Sequence, residues 1–148
     1  MKKPRILIAE DDPDDQLLLE SAFHENGVFQ HIDFVGNGLE LMLRLSRISQ
    51  QGALAQFPDF IMLDLNMPGR NGKETLRDIK QHLLFRNIPV IVFTTTSDYR
   101  EVRTCYELGA NSYIVKPPSF SRMVAIVKTV LEYWMSTAST SPMKAVPA

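Results

Sequence analysis

Five short apolar stretches, separated by longer amphipathic ones, set the rhythm of this chain. Ile6-Leu7-Ile8-Ala9 is apolar at every position, the mark of a strand covered on both faces. Phe60-Ile61-Met62-Leu63 and Val90-Ile91-Val92-Phe93 repeat the signature, and residues 31–35 and 112–115 are weaker versions of it. Helical spacing fills the intervals. Over 13–25, Leu18, Ala22 and Glu25 form one line with Leu19 and Phe23 beside it. Leu41, Leu45 and Ile48 recur over 38–48, and Leu76, Ile79, Leu83 and Leu84 over 73–84. Two further helices are predicted near 98–108 and 120–135. Strands alternating with helices in this way predict an α/β domain: a doubly wound, five-stranded parallel sheet with right-handed crossovers and five helices over its two faces. Asn37-Gly38, Pro68-Gly69 and Asn71-Gly72 are turn signals, and 49–58 reads as a longer polar loop. The folded domain is expected over 4–136, with the Ser/Thr/Ala/Pro-rich run 137–148 a disordered tail. No output domain is expected after it.

The chain has 148 residues, which fits one domain with a core of its own. Lys+Arg 16 against Asp+Glu 17 gives a net charge of −1, which argues against a dedicated nucleic-acid or membrane-surface binder. The single cysteine, Cys105, excludes an internal disulfide framework and a Cys-only zinc site. No apolar run is long enough to span a bilayer. The basic start, Met1-Lys2-Lys3-Pro4-Arg5, is followed by too few apolar residues for a signal peptide, so a cytoplasmic location is expected.

In open parallel sheets, ligands sit beyond the carboxyl ends of the strands. There the first strand runs into Glu10-Asp11-Asp12, the third into Asp64, the fourth into Thr94-Thr95-Thr96 and the fifth into Lys116. Carboxylates brought together at one sheet edge repel by about 4 kcal/mol per pair at 4 Å and an effective dielectric near 20. A hard divalent cation such as Mg²⁺ would relieve that repulsion. Part of the acidic run has a plainer explanation. Asp12 before Pro13 is a helix N-cap, and Asp14 and Asp15 favour the positive end of the helix dipole. Glu10 and Asp11 are left unexplained by capping. Asp64 closes an otherwise apolar strand and needs partners, which Lys116 and a metal would supply. His24, His31 and His82 have no ligand spacing, and Cys105 reads as a helix residue without chemistry.

These segments resemble the response-regulator receiver domain of two-component signalling over about residues 4–136. Ile6-Leu7-Ile8-Ala9-Glu10-Asp11 is similar to the family's acid-pair strand. Met62-Leu63-Asp64-Leu65-Asn66-Met67-Pro68 followed by Gly72 is similar to its phosphoacceptor segment. Ile88-Pro89-Val90-Ile91-Val92-Phe93-Thr94 resembles the threonine strand, and Gly109-Ala110-Asn111-Ser112-Tyr113-Ile114-Val115-Lys116-Pro117 the switch-aromatic and lysine segment. The resemblance implies a flavodoxin-like receiver fold and an aspartyl-phosphate switch. Asp64 would accept a phosphoryl group from a phosphohistidine on a sensor histidine kinase. Asp11, Asp64 and the Asn66 main-chain carbonyl would hold Mg²⁺, with Glu10 reaching it through water. Thr94 and Lys116 would contact the phosphoryl oxygens. It also implies a cis bond between Lys116 and Pro117, and switching by Thr94 toward the phosphate with Tyr113 following, unless Tyr113 is a fixed core aromatic.

The loop after the second helix and Tyr133-Trp134 further resemble single-domain regulators of phytochrome-type kinases, which implies such a photoreceptor as partner and a homodimer through the last-helix face. Trp134 reads equally as an interface anchor or as a plug at the base of the domain. A Mg²⁺-dependent phosphohydrolase working through Asp64 is the alternative. It would want a second acid two residues on, where this chain has Asn66. A flavin-binding module of the same architecture is disfavoured by acids where its phosphate loop would lie.

Overall fold

The computed structural model describes residues 3–67 and 71–142. Its strands are β1 (Ile6–Ala9), β2 (Ile32–Val35), β3 (Phe60–Leu63), β4 (Val90–Thr94) and β5 (Ser112–Val115), all parallel, in the order β2-β1-β3-β4-β5. The helices are α1 (Pro13–Glu25), α2 (Gly38–Gln50), α3 (Gly72–Gln81), α4 (Tyr99–Glu107) and α5 (Phe120–Glu132). Side chains alternate across the three central strands, so each feeds two cores. Leu7, Ala9, Ile61, Leu63, Val90 and Val92 pack with Leu41, Leu45, Leu76, Ile79 and Cys105 from α2, α3 and α4. Ile6, Ile8, Phe60, Met62, Ile91 and Phe93 pack with Leu19, Ala22, Phe23, Met123, Val127 and Val130 from α1 and α5. Burial on both faces is why these strands read as unbroken apolar runs. The edge strand β5 is only partly buried, hence its weaker signature. None of the described helices is long and apolar enough to cross a membrane.

The structure corrects several details of the sequence reading. On α1 the buried face is Leu19, Ala22 and Phe23, while Leu18 is 42% exposed. α3 stops at Gln81 rather than near Leu84. His82 turns extended, its Nδ1 accepts the Leu84 amide at 3.1 Å, and its ring stacks on Phe85 at 3.8 Å. That local capture competes with further helix and leaves Leu83 out in solvent. The 49–58 loop holds the end of α2 and a 3₁₀ turn at Leu54–Gln56. α5 gives way to a π turn, Tyr133–Thr137, in which Tyr133 meets Trp134 edge-to-face at 4.9 Å. Trp134 packs against the α1/α5 core, as a base plug would. Asn37 and Asn71 are helix N-caps, and the expected Pro68-Gly69 turn lies outside the described residues. Of the expected tail, 143–148 also lies outside them, while Thr140, Ser141 and Pro142 line a cavity with Leu54, Asn87 and Pro89.

Gly72 opens α3 where it passes against the end of β3. A Cβ there would stand 2.6 Å from Leu65 Cα and 2.8 Å from the Asp64 carbonyl oxygen, backbone atoms that cannot yield cheaply. Gly72→Ala is therefore expected to cost about 1–3 kcal/mol, the range for forced overpacking. Urea unfolding would measure it, and a change within about 0.5 kcal/mol, the level of an ordinary surface substitution, would show that the contact relaxes.

Candidate functional site

Strand register does the assembling. Ala9 pairs with Leu63, Leu63 with Val92, and Thr94 with Val115. The hydrogen-bond ladder runs one step beyond: Asp64 N–H donates to Ala9 O at 3.0 Å and Lys116 N–H to Thr94 O at 2.8 Å. Glu10, Asp64, Thr94 and Lys116, far apart in sequence, are thus delivered to the same edge of the sheet. It is also where strand order reverses between β1 and β3, the usual ligand position in such sheets.

Lys116 Nζ lies 2.6 Å from Glu10 Oε2, 2.8 Å from Asp64 Oδ2 and 3.0 Å from Asp15 Oδ2. Glu10 and Asp64 are 2% and 5% exposed. Burial in this setting would be prohibitive without such partners, and among the described residues no buried side-chain polar atom lacks one. Glu10 also accepts the Asp12 amide at 3.1 Å, and Asp64 Oδ1 accepts the Asn66 amide at 3.0 Å. Burial, reinforced by the neighbouring Asp64, pushes the Glu10 carboxyl up to about 7. For Asp64 burial acts in the same direction but loses. Hydrogen bonding with Glu10, the Asn66 amide and Lys116 holds it below the ordinary aspartate value. Burial disfavours the Lys116 ammonium, yet its carboxylate partners outweigh that and raise it above the usual lysine value. Asp64 therefore stays an anion.

One oxygen each from Glu10, Asp11 and Asp64 lies within 4.8 Å of the others. An all-carboxylate donor set of this span suits a hard divalent cation. Asp11 is exposed and open to such a ligand. The Asn66 side chain points elsewhere: its Nδ2 donates to Thr94 Oγ1 at 3.3 Å and reaches Thr95 Oγ1 at 3.5 Å. Thr94 is fully buried. Tyr113 is half-buried, its hydroxyl donating to the Thr96 carbonyl at 2.7 Å while its own amide donates to Tyr106 Oη at 3.1 Å. Burial pushes the Tyr113 phenol up to about 12, so it stays a donor throughout the neutral range.

Two expectations change here. Asp15, read from sequence as a partner of the helix dipole, is in addition an ion-pair partner of Lys116. A signal was available: only Glu10–Asp12 separates β1 from α1, so the first turn of α1 must lie beside the strand end. The Lys116–Pro117 bond, expected to be cis, is trans, and Lys116 reaches its carboxylates from that backbone. Asp12 caps α1 as anticipated, accepting the Asp14 amide at 2.8 Å and the Asp15 amide at 3.4 Å. Cys105 is buried and its thiol is pushed up to about 11 by burial, which leaves it unreactive.

The sequence profile of the response regulator receiver domain matches residues 6–128. The chain is 31% identical over 136 residues to the response regulator Rcp1 of Synechocystis sp., covering 90% of each. The solved structure of the phosphorylated cyanobacterial phytochrome response regulator RcpA is similar with a TM-score of 0.83 and 34% identity, over 94% of this chain and 99% of that one. The Mn²⁺-bound form of Rcp1 is similar with a TM-score of 0.77 and 29% identity, over 93% of this chain and 99% of that one.

Proposed function

Because the chain belongs to the response regulator receiver domain family, we propose that it works as a phosphoacceptor switch with Asp64 as the acceptor. The observation that carries this reading is the Lys116 ammonium held 2.8 Å from Asp64 at the carboxyl end of the sheet, beside the Glu10–Asp11–Asp64 oxygen cluster. An Asp64 oxygen attacks the phosphorus of a phosphohistidine on a sensor kinase. The P–N bond breaks, its electron pair returns to the imidazole, and Asp64 becomes an acyl phosphate. Little covalent chemistry is asked of the protein beyond the nucleophile, so catalysis rests on placement and positive charge. Lys116 supplies that charge, and the Thr94 hydroxyl turns from Asn66 toward a phosphoryl oxygen. Glu10, Asp11, Asp64 and the Asn66 carbonyl would hold Mg²⁺, which when bound offsets the negative charge of the carboxylates and the phosphoryl group. The likeness to RcpA favours a phytochrome-type kinase as the donor.

A phosphohydrolase is the second reading, and Asn66 weighs against it. The residue two places after Asp64 donates through its side-chain amide to Thr94, and a carboxamide cannot serve as a general acid or base near neutral pH. Incubation with acetyl phosphate and Mg²⁺ separates the two: the switch gains one persistent phosphoryl group per chain by intact mass, whereas a hydrolase releases phosphate over many turnovers. As Thr94 turns, the hydrogen bond from Tyr113 to Thr96 is expected to rearrange. Beryllofluoride with Mg²⁺ should therefore shift the Tyr113 ring resonances, and unchanged resonances would remove Tyr113 from the switch.

A further inference from the structure

The Lys116 ammonium has three N–H groups, and the three carboxylates that receive them have different fates. On the reading above, on which this inference rests, Asp64 is consumed: as an acyl phosphate one of its carboxylate oxygens is bonded to phosphorus, and the negative charge moves out onto the phosphoryl oxygens. Glu10 belongs to the Glu10–Asp11–Asp64 oxygen cluster, so a divalent cation draws on the same carboxylate. Asp15 is subject to neither. It lies outside that cluster, and at 37% exposure it is the most exposed of the three partners, yet it sits 3.0 Å from Nζ. Its own position is fixed from two sides. The Asp15 amide is capped by Asp12 Oδ1, and Gln16 Nε2 on the same turn of α1 donates to the Glu10 carbonyl at 2.6 Å, tying that turn to the end of β1.

We propose that Asp15 is a positioning residue for phosphoryl acceptance, anchoring the Lys116 ammonium over the phosphoryl site while its bonds to Asp64 and Glu10 weaken. A charge-assisted hydrogen bond is well suited to such a role, since it fixes direction as well as distance. The opposite consequence of the same carboxylate is also calculable. Its negative charge repels an anionic phosphodonor, and if that were its main effect, removing it would speed the reaction. The sign of the change decides between them.

The test uses the full chain with acetyl phosphate at saturating Mg²⁺. An Asp64 oxygen attacks phosphorus, the bond from phosphorus to the acetyl oxygen breaks, and acetate leaves with the electron pair. Initial rates are followed by intact mass across donor concentrations. Asp15→Ala should lower the maximal rate about tenfold, the scale on which outer-sphere orienting groups act. The donor and Mg²⁺ concentrations at half-maximum should stay within about twofold of wild type, as expected when binding is spared and only transition-state placement is lost. Asp15→Glu should restore most of the rate, and in a Lys116→Met background Asp15→Ala should have no further effect. A general structural role would not produce that dependence on Lys116. If Asp15→Ala fails to fold, Asp15→Asn carries the comparison. A rate equal to or above wild type, or an equal loss with and without Lys116, overturns the inference. A wild type that takes up no phosphoryl group overturns the receiver reading beneath it instead.

Discussion

Asp64→Asn should abolish phosphoryl uptake from acetyl phosphate altogether, with no added mass under conditions that load the wild type. The amide keeps the shape of the side chain, and its one oxygen can replace either of the two that now accept, Oδ2 from Lys116 at 2.8 Å or Oδ1 from the Asn66 amide at 3.0 Å. What it lacks is an anionic nucleophile, and no neighbouring group replaces it. Glu10 is the other carboxylate buried here, but it ends a different strand and is pushed up to about 7 by burial. It is partly neutral where Asp64 is charged. The fold should survive, because the exchange removes one of the mutually repelling carboxylates around Lys116. A urea midpoint at or above that of wild type is the matching result. Uptake of a phosphoryl group by Asp64→Asn at anything like the wild-type rate would move the acceptor elsewhere.

Lys116→Met should have the second largest effect, on stability and rate together. Glu10 and Asp64 would be left buried without their cation, and breaking one side of a buried ion pair commonly costs 3–5 kcal/mol. The loss here should fall near the lower figure, about 3 kcal/mol, because Glu10 already tends to protonate and Asp11 and Asp15 lie toward solvent. Mg²⁺ should restore part of that stability, so adding it should raise the melting temperature of Lys116→Met more than that of wild type. The phosphorylation rate should fall about 10²–10³-fold, the scale for removing a preorganised charge from a transferring group. A variant as stable as wild type without Mg²⁺ would mean that the carboxylates do not depend on the lysine.

Much of this was legible in the amino-acid order, for identifiable reasons. β1, β3 and β4 are buried on both faces, so each appears as an unbroken apolar run, and an acid at the end of such a run stands out. The adjacency of Glu10 and Asp64 then follows from parallel register alone. Helix faces were less distinct. Leu18 and Leu19 lie about 100° apart on a helix; periodicity marked both without deciding between them, and only Leu19 is buried. The end of α3 depends on a histidine side chain bonding a backbone amide and stacking on Phe85, which no apolar pattern encodes. Asp15 was hidden by a sufficient local explanation. An acid in the first turn of a helix satisfies the dipole, so nothing in its neighbours announces that a lysine from the far end of β5 arrives beside it.

The most direct test is to find where the phosphoryl group goes. Wild-type protein loaded with acetyl phosphate and Mg²⁺ is reduced with borohydride, which converts an aspartyl phosphate to homoserine, and its peptides are then sequenced by mass spectrometry. Homoserine at position 64, and at no other aspartate, is the predicted result. An unmodified Asp64 in a protein that has gained a phosphoryl group would contradict it.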